Sequence, residues 1–108
     1  MNARRFTYRT RWSSEDQEYV ASVAEFPSLS WLAESPNDAL TGLMKVVAEV
    51  IIDMQRTGEK IPIPFGERDY SGKFVVRIPP EAHRQLAIEA AEQNVSINRL
   101  ASRRLVSA

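Results

Sequence analysis

The sequence predicts an α+β protein in two parts, ordered β-β-β-α and then β-α-α, and three observations carry that expectation. Period-two alternation recurs in short runs up to Ala33. A single long helical stripe follows, from Leu40 to Met54. The last part then holds one alternating run, a Pro-Pro stop and two short helical patterns. Composition agrees, since 44% hydrophobic residues over 108 positions suffice for a packed core in one ordinary domain or two very small ones.

Arg5 to Trp12 sets Phe6, Tyr8 and Trp12 on one side and Arg5, Arg9 and Arg11 on the other, the period of a half-buried strand. Ser13 to Gln17 is a polar turn, and Tyr19 to Ala24 is a second strand-forming run, so the pair reads as an antiparallel hairpin. Glu25-Phe26-Pro27-Ser28 interrupts the pattern, and Leu29, Trp31 and Ala33 alternate in a short third strand. Ser35 is placed to cap a helix with Pro36 at its first position and Asp38 at its positive end. Leu40, Leu43, Met44, Val47, Val50, Ile51 and Met54 form its apolar stripe, which stops near Thr57-Gly58. The stripe is expected to cover the three strands; a coiled-coil seam is the alternative. Ile61 to Gly66, with two prolines, is an edge strand or an extended linker. The expected division is therefore 1–66, a linker 67–72, and 73–108.

Net charge is zero, with 14 basic and 14 acidic residues, but the charges are segregated. Residues 1–69 hold eight Lys/Arg and eleven Asp/Glu; residues 70–108 hold six and three. An electropositive tail is the footprint expected of a phosphate-binding surface. The absence of cysteine excludes disulfides, thiolate catalysis and the common zinc-finger ligand sets. Residues 1–5 run into alternation rather than an apolar block, so no signal peptide is expected, no segment reaches membrane-spanning length, and the expected location is cytoplasmic.

In the tail, Lys73 to Ile78 sets Phe74, Val76 and Ile78 on one face and Lys73, Val75 and Arg77 on the other, before Pro79-Pro80. Glu81 opens a helix running to about Asn94 with Leu86, Ala87, Ala90 and Ala91 inward. Ser96 caps a second, with Ile97, Leu100, Ala101 and Leu105 inward and Asn98, Arg99, Ser102, Arg103 and Arg104 outward. One strand and two short helices bury too little apolar surface to fold alone. Pairing the strand with a second copy would satisfy its backbone and close a shared core, leaving a two-stranded polar ribbon that fits a major groove.

Lys73 to Pro79 and Ser96-Ile97-Asn98 resemble the ribbon-helix-helix repressors. The resemblance implies a dimerisation and DNA-binding domain in which Lys73, Val75 and Arg77 read bases. The helix start at Ser96, Ile97, Asn98 and Arg99 would hold a phosphate. Arg77 suits a bidentate guanine contact, and Val75, where a polar residue is common, suits a thymine methyl or weaker specificity. The order of strands, with Glu25 to Leu29 and Ser35 to Leu40, resembles HicB-family antitoxins, with Ser28 where glycine is more frequent. That implies a degenerate RNase H-like domain that neutralises a small basic HicA-type mRNA-cleaving toxin, while the tail represses the operon by binding operator DNA. A stand-alone repressor without a toxin is the alternative. Residues 12–69 hold four basic and eleven acidic side chains, a balance that suits a cationic partner. The expected assembly is a homodimer through the C-terminal strand, and pairing of the N-terminal domains would give a dimer of dimers.

An enzyme is the rival class, because an RNase H-like fold invites two-metal nuclease chemistry. The first strand has no acid, Glu49 and Asp53 have the spacing of a solvated helical pair, and His83 has no partner at ligand spacing. The expectation is no catalytic residue, no metal and no cofactor.

Overall fold

The computed structural model describes residues 2–107. The chain divides into two compact units, Met1–Tyr70 and Ser71–Ala108.

The first unit is a three-stranded antiparallel sheet with one helix across it. Strands β1 (Tyr8–Ser13), β2 (Glu18–Val23) and β3 (Ser30–Ala33) lie in the order β1-β2-β3, with Tyr8 opposite Val23, Trp12 opposite Tyr19 and Ala21 opposite Trp31. The β1–β2 turn closes because the Ser13 hydroxyl donates to Asp16 Oδ2 at 2.9 Å and Gln17 takes a positive φ of 54°. Helix α1 (Pro36–Thr57) begins where Ser35 Oγ accepts the Asp38 amide at 3.1 Å, and ends where Gly58 adopts the left-handed conformation (φ 77°) with its amide on the Met54 carbonyl. Both ends fall where the expected cap residues stand.

The helical stripe packs on the sheet, and the coiled-coil alternative falls away. Ala39, Leu43, Val47 and Ile51 close over Ala21, Val23 and Phe6 in a single core, with Tyr8, Tyr19 and Ala33 at its margin. Period two on β2 and period three-to-four on α1 thus bring one face of each element together, and burying each Leu, Val or Ile stabilises the unit by roughly 1.5–3 kcal/mol. Helical Gly42 has a specific task. A Cβ built on it would lie 2.1 Å from Trp31 Nε1, so the missing side chain makes room for the indole against α1.

Two expectations for this unit need correction. The first strand starts at Tyr8, not Arg5, because Ala3–Arg5 is a 3-10 turn capped by Asn2, which accepts the Arg4 amide at 2.9 Å. Phe6 is buried ahead of the strand, whereas Trp12 is half exposed in edge-on contact with Tyr19. Ile61 to Gly66 is neither strand nor free linker. Ile61 packs on the core, Pro64 is buried and Phe65–Glu67 forms a 3-10 turn.

The second unit is a helical hairpin, α2 (Pro80–Glu92) and α3 (Ile97–Val106). Asn94 (φ 58°) makes the left-handed step between them, and the Val95 amide reaches the Ala90 carbonyl at 2.9 Å. Ser96 Oγ accepts the Arg99 amide at 3.0 Å and caps α3. Ala90 and Leu100 are the buried side chains of this unit among the described residues, and Glu89 pairs with Arg104 across the two helices.

Candidate nucleic-acid interface

Lys73 to Ile78, expected as a strand, belongs to no helix and no ladder in the single chain, and all six residues are exposed. The physical reason is simple. A strand exists through its neighbour's hydrogen bonds, and this chain offers that segment no neighbour. What the sequence reads as strand is, in one copy, an unpaired run that begins after Gly72 in the left-handed region (φ 82°) and ends at Pro79-Pro80.

With the exception of Lys73, the side chains of this run sort by parity. Val76 and Ile78 join Leu86, Ile97, Ala101 and Leu105 around an open apolar depression of about 420 Å³, with His83 and Arg104 at its polar margin. Phe74 and Val76 border a second of about 380 Å³ with Ala101, Leu105, Lys73, Asn98 and Ser102. Phe74 remains 72% exposed, Val76 59% and Leu105 63%. Contiguous uncovered apolar surface on so small a unit marks an incomplete core. Val75, 90% exposed, and Arg77 border neither depression.

The expected site residues therefore fall into groups. Lys73, Val75 and Arg77 stand exposed on the unpaired run, with Lys73 also bordering the second depression. Ser96 is occupied as a cap, Ile97 is shared with the apolar depression and Asn98 lies beside Phe74. Arg99 lies with Ser102 and Arg103 along α3, where Ser102 also borders the second depression. At the first turn of α3 the cap leaves amides directed outward at the positive end of a ten-residue helix, where an anion is favoured.

One residue of structural weight carried no signal in the sequence. Glu25, following the second strand-forming run, is buried, and its carboxylate accepts the Thr7 amide at 2.9 Å, the Thr7 hydroxyl at 2.9 Å and the Phe65 amide at 2.8 Å. Burial pushes its pKa up, yet the hydrogen bonds from Phe65 and Thr7 outweigh that and hold it below the usual carboxylate value. Tyr8, whose hydroxyl donates to the Ala3 carbonyl at 2.7 Å, is shifted up by burial and by the Glu25 charge. Among the described residues no three His, Cys, Asp or Glu side chains converge as metal ligands, and no helix is long and apolar enough to cross a membrane.

The fold and this surface together define a class: an α+β chain with a sheet-and-helix unit and a second, helical unit whose apolar face is uncovered in one copy. A family model described as HicB family matches residues 57–105, a little under half of the chain. The matched stretch starts at the last residue of α1 and takes in α2 and nearly all of α3, while β1 to β3 lie outside it. No curated protein and no solved structure matches the chain.

Proposed function

We propose that the protein is an antitoxin that represses its own operon, with the two roles carried by its two units. The observation that carries this reading is the unpaired run Lys73 to Ile78 beside an uncovered apolar face. Two copies pairing that run antiparallel would form a ribbon-helix-helix dimer. Phe74, Val76 and Ile78 would enter the shared core with Ile97 and Leu105, and Lys73, Val75 and Arg77 would face outward. The outward row is then a base-reading ribbon in the major groove: Arg77 on guanine, Lys73 on guanine or phosphate, Val75 on a thymine methyl. The α3 start from Ser96 to Arg99 takes a backbone phosphate on either side.

The first unit, degenerate RNase H-like in this reading, is the inhibitor of a HicA-type toxin. The excess of acid over residues 12–69 supports it, because an acidic surface steers and masks a cationic RNA-binding partner. The test is a gel shift of the full chain on the duplex upstream of its own gene, with a pull-down of the product of the adjacent reading frame. Retardation of that duplex and not a scrambled one, weakened about 1–3 kcal/mol by Arg77→Ala, is expected. Equal retardation of both duplexes removes the operator role, and failure to capture the neighbour removes the inhibitor role.

A further inference from the structure

Residues 61–70 close the first unit without belonging to its sheet or helix. Among the described residues, one hydrogen bond joins the backbone of this segment to the rest of the unit, from the Phe65 amide to Glu25 Oε2. The same oxygen accepts from the Thr7 hydroxyl, and Oε1 accepts from the Thr7 amide, so a single carboxylate ties the approach to β1, the end of β2 and this segment together. The segment's other polar bonds are internal or exposed. Arg68 Nε donates to the Ile63 carbonyl at 2.8 Å and stacks over the Phe65 ring at 3.8 Å, and the Tyr70 hydroxyl donates to the Phe65 carbonyl at 2.9 Å. Glu67 meets Arg5 at 3.0 Å in an exposed pair that adds little. Apolar anchorage comes from half-buried Ile61 and Pro62 and buried Pro64, while Ile63 and Phe65 are exposed.

We propose that residues 61–70 form a strap latched by the Glu25 carboxylate, which opens on its own while the sheet and α1 stay folded and so sets the length of free chain between the two units. The inference is independent of the functions proposed above. Closed, the strap is folded down to Tyr70; open, about fifteen residues between the end of α1 and Lys73 become flexible, with a root-mean-square span of roughly 20 Å. A tether of that length changes the effective concentration of one unit for a ligand held by the other. Few buried contacts and a single backbone tie are the features of a segment that opens locally. Glu25 is thus a positioning residue.

Tyr8 on β1 feels the Glu25 charge, and the other charged groups of the first 3-10 turn and the strap are engaged elsewhere, Arg5 with Glu67 and Arg68 with the Ile63 carbonyl. The Glu25 pKa is lowered in the folded chain, so its contribution is complete above the ordinary value of 4.5 and is lost as the pH falls through the lower, folded value. Acid should therefore open the strap first.

Native-state amide exchange on the full chain tests this. In Glu25→Gln at neutral pH, the Phe65 amide should exchange about ten- to hundredfold faster than in the wild type, with Leu43 in α1 unchanged. Trypsin cleavage after Arg68 should accelerate alongside. The wild-type chain supplies a test that no folding defect can obscure: relative to Leu43, protection at Phe65 should fall as the pH drops below 4.5. Exchange of Phe65 and Leu43 at one common rate in the wild type overturns the proposal, as does a protection ratio that is flat across that pH range.

Discussion

The apolar face of the second unit makes a prediction whose size follows from exposure. Val76 is 59% exposed and borders both depressions, whereas its neighbour Val75 borders neither. Burying a Val side chain fully is worth roughly 1.5–3 kcal/mol, so covering the exposed part of Val76 contributes about 1–2 kcal/mol per chain and twice that per dimer. Val76→Asp forfeits this and leaves a carboxylate from each chain in a closed apolar seam, at several kcal/mol per buried ion. Dimer association should weaken by at least 5 kcal/mol, raising Kd on the order of 10³-fold or more. Val75→Asp, one residue away on the opposite face, should leave the dimer intact. Sedimentation equilibrium with circular dichroism at matched concentrations reads both, and Val76→Asp should be monomeric with reduced helix content. Equal effects from the two substitutions, or a stable Val76→Asp dimer, would refute the parity on which the ribbon depends.

Three further outcomes are expected. Replacing thymine by uracil within the bound duplex should weaken wild-type binding and leave Val75→Ala binding unaltered by the same replacement, since in the proposed ribbon the methyl is what Val75 would touch; anisotropy titration measures it. Wild-type affinity for that duplex should fall steeply with salt, and Lys73→Ala should reduce the log–log slope by about 1 if Lys73 meets a phosphate. Gly42→Ala gains about 1 kcal/mol of helix propensity but drives Cβ into the Trp31 indole, so the ring should leave α1. In a Trp12→Phe background this appears as red-shifted Trp31 emission, and unshifted emission would contradict the packing described.

The architecture of the first unit was largely legible, because its signals are local and agree with one another. Ser35, Pro36 and Gly58 bound α1, and the stripe through Leu43, Val47 and Ile51 finds the alternating face of β2. Where the outcome is decided at long range the sequence is silent. Glu25 looks like any acid in a turn, and only the fold brings Thr7 and Phe65, 18 and 40 residues away, to its oxygens. Nor does Gly42 announce that an indole on β3 needs its space. In the second unit the helices, the Asn94 step and the Ser96 cap are local and legible. Lys73 to Ile78 reads as a strand from its parity, yet one chain cannot supply the ladder, so the pattern points to a state that a lone copy does not adopt.

The central claim is that two copies pair this run into a ribbon, and cysteine cross-linking tests it directly. The chain has no cysteine of its own. Antiparallel self-pairing that keeps Phe74, Val76 and Ile78 on one face places the two-fold axis on a residue, Val75 or Val76. That residue meets its own copy at roughly 4.5–5.5 Å between Cα atoms, within disulfide reach. Mild oxidation of Val75→Cys and Val76→Cys in the full chain should give near-complete covalent dimer for one of the two, and little for Arg84→Cys on the exposed surface of α2. Absence of dimer at both positions, or equal dimer at all three, would contradict the ribbon and the operator-binding role built on it.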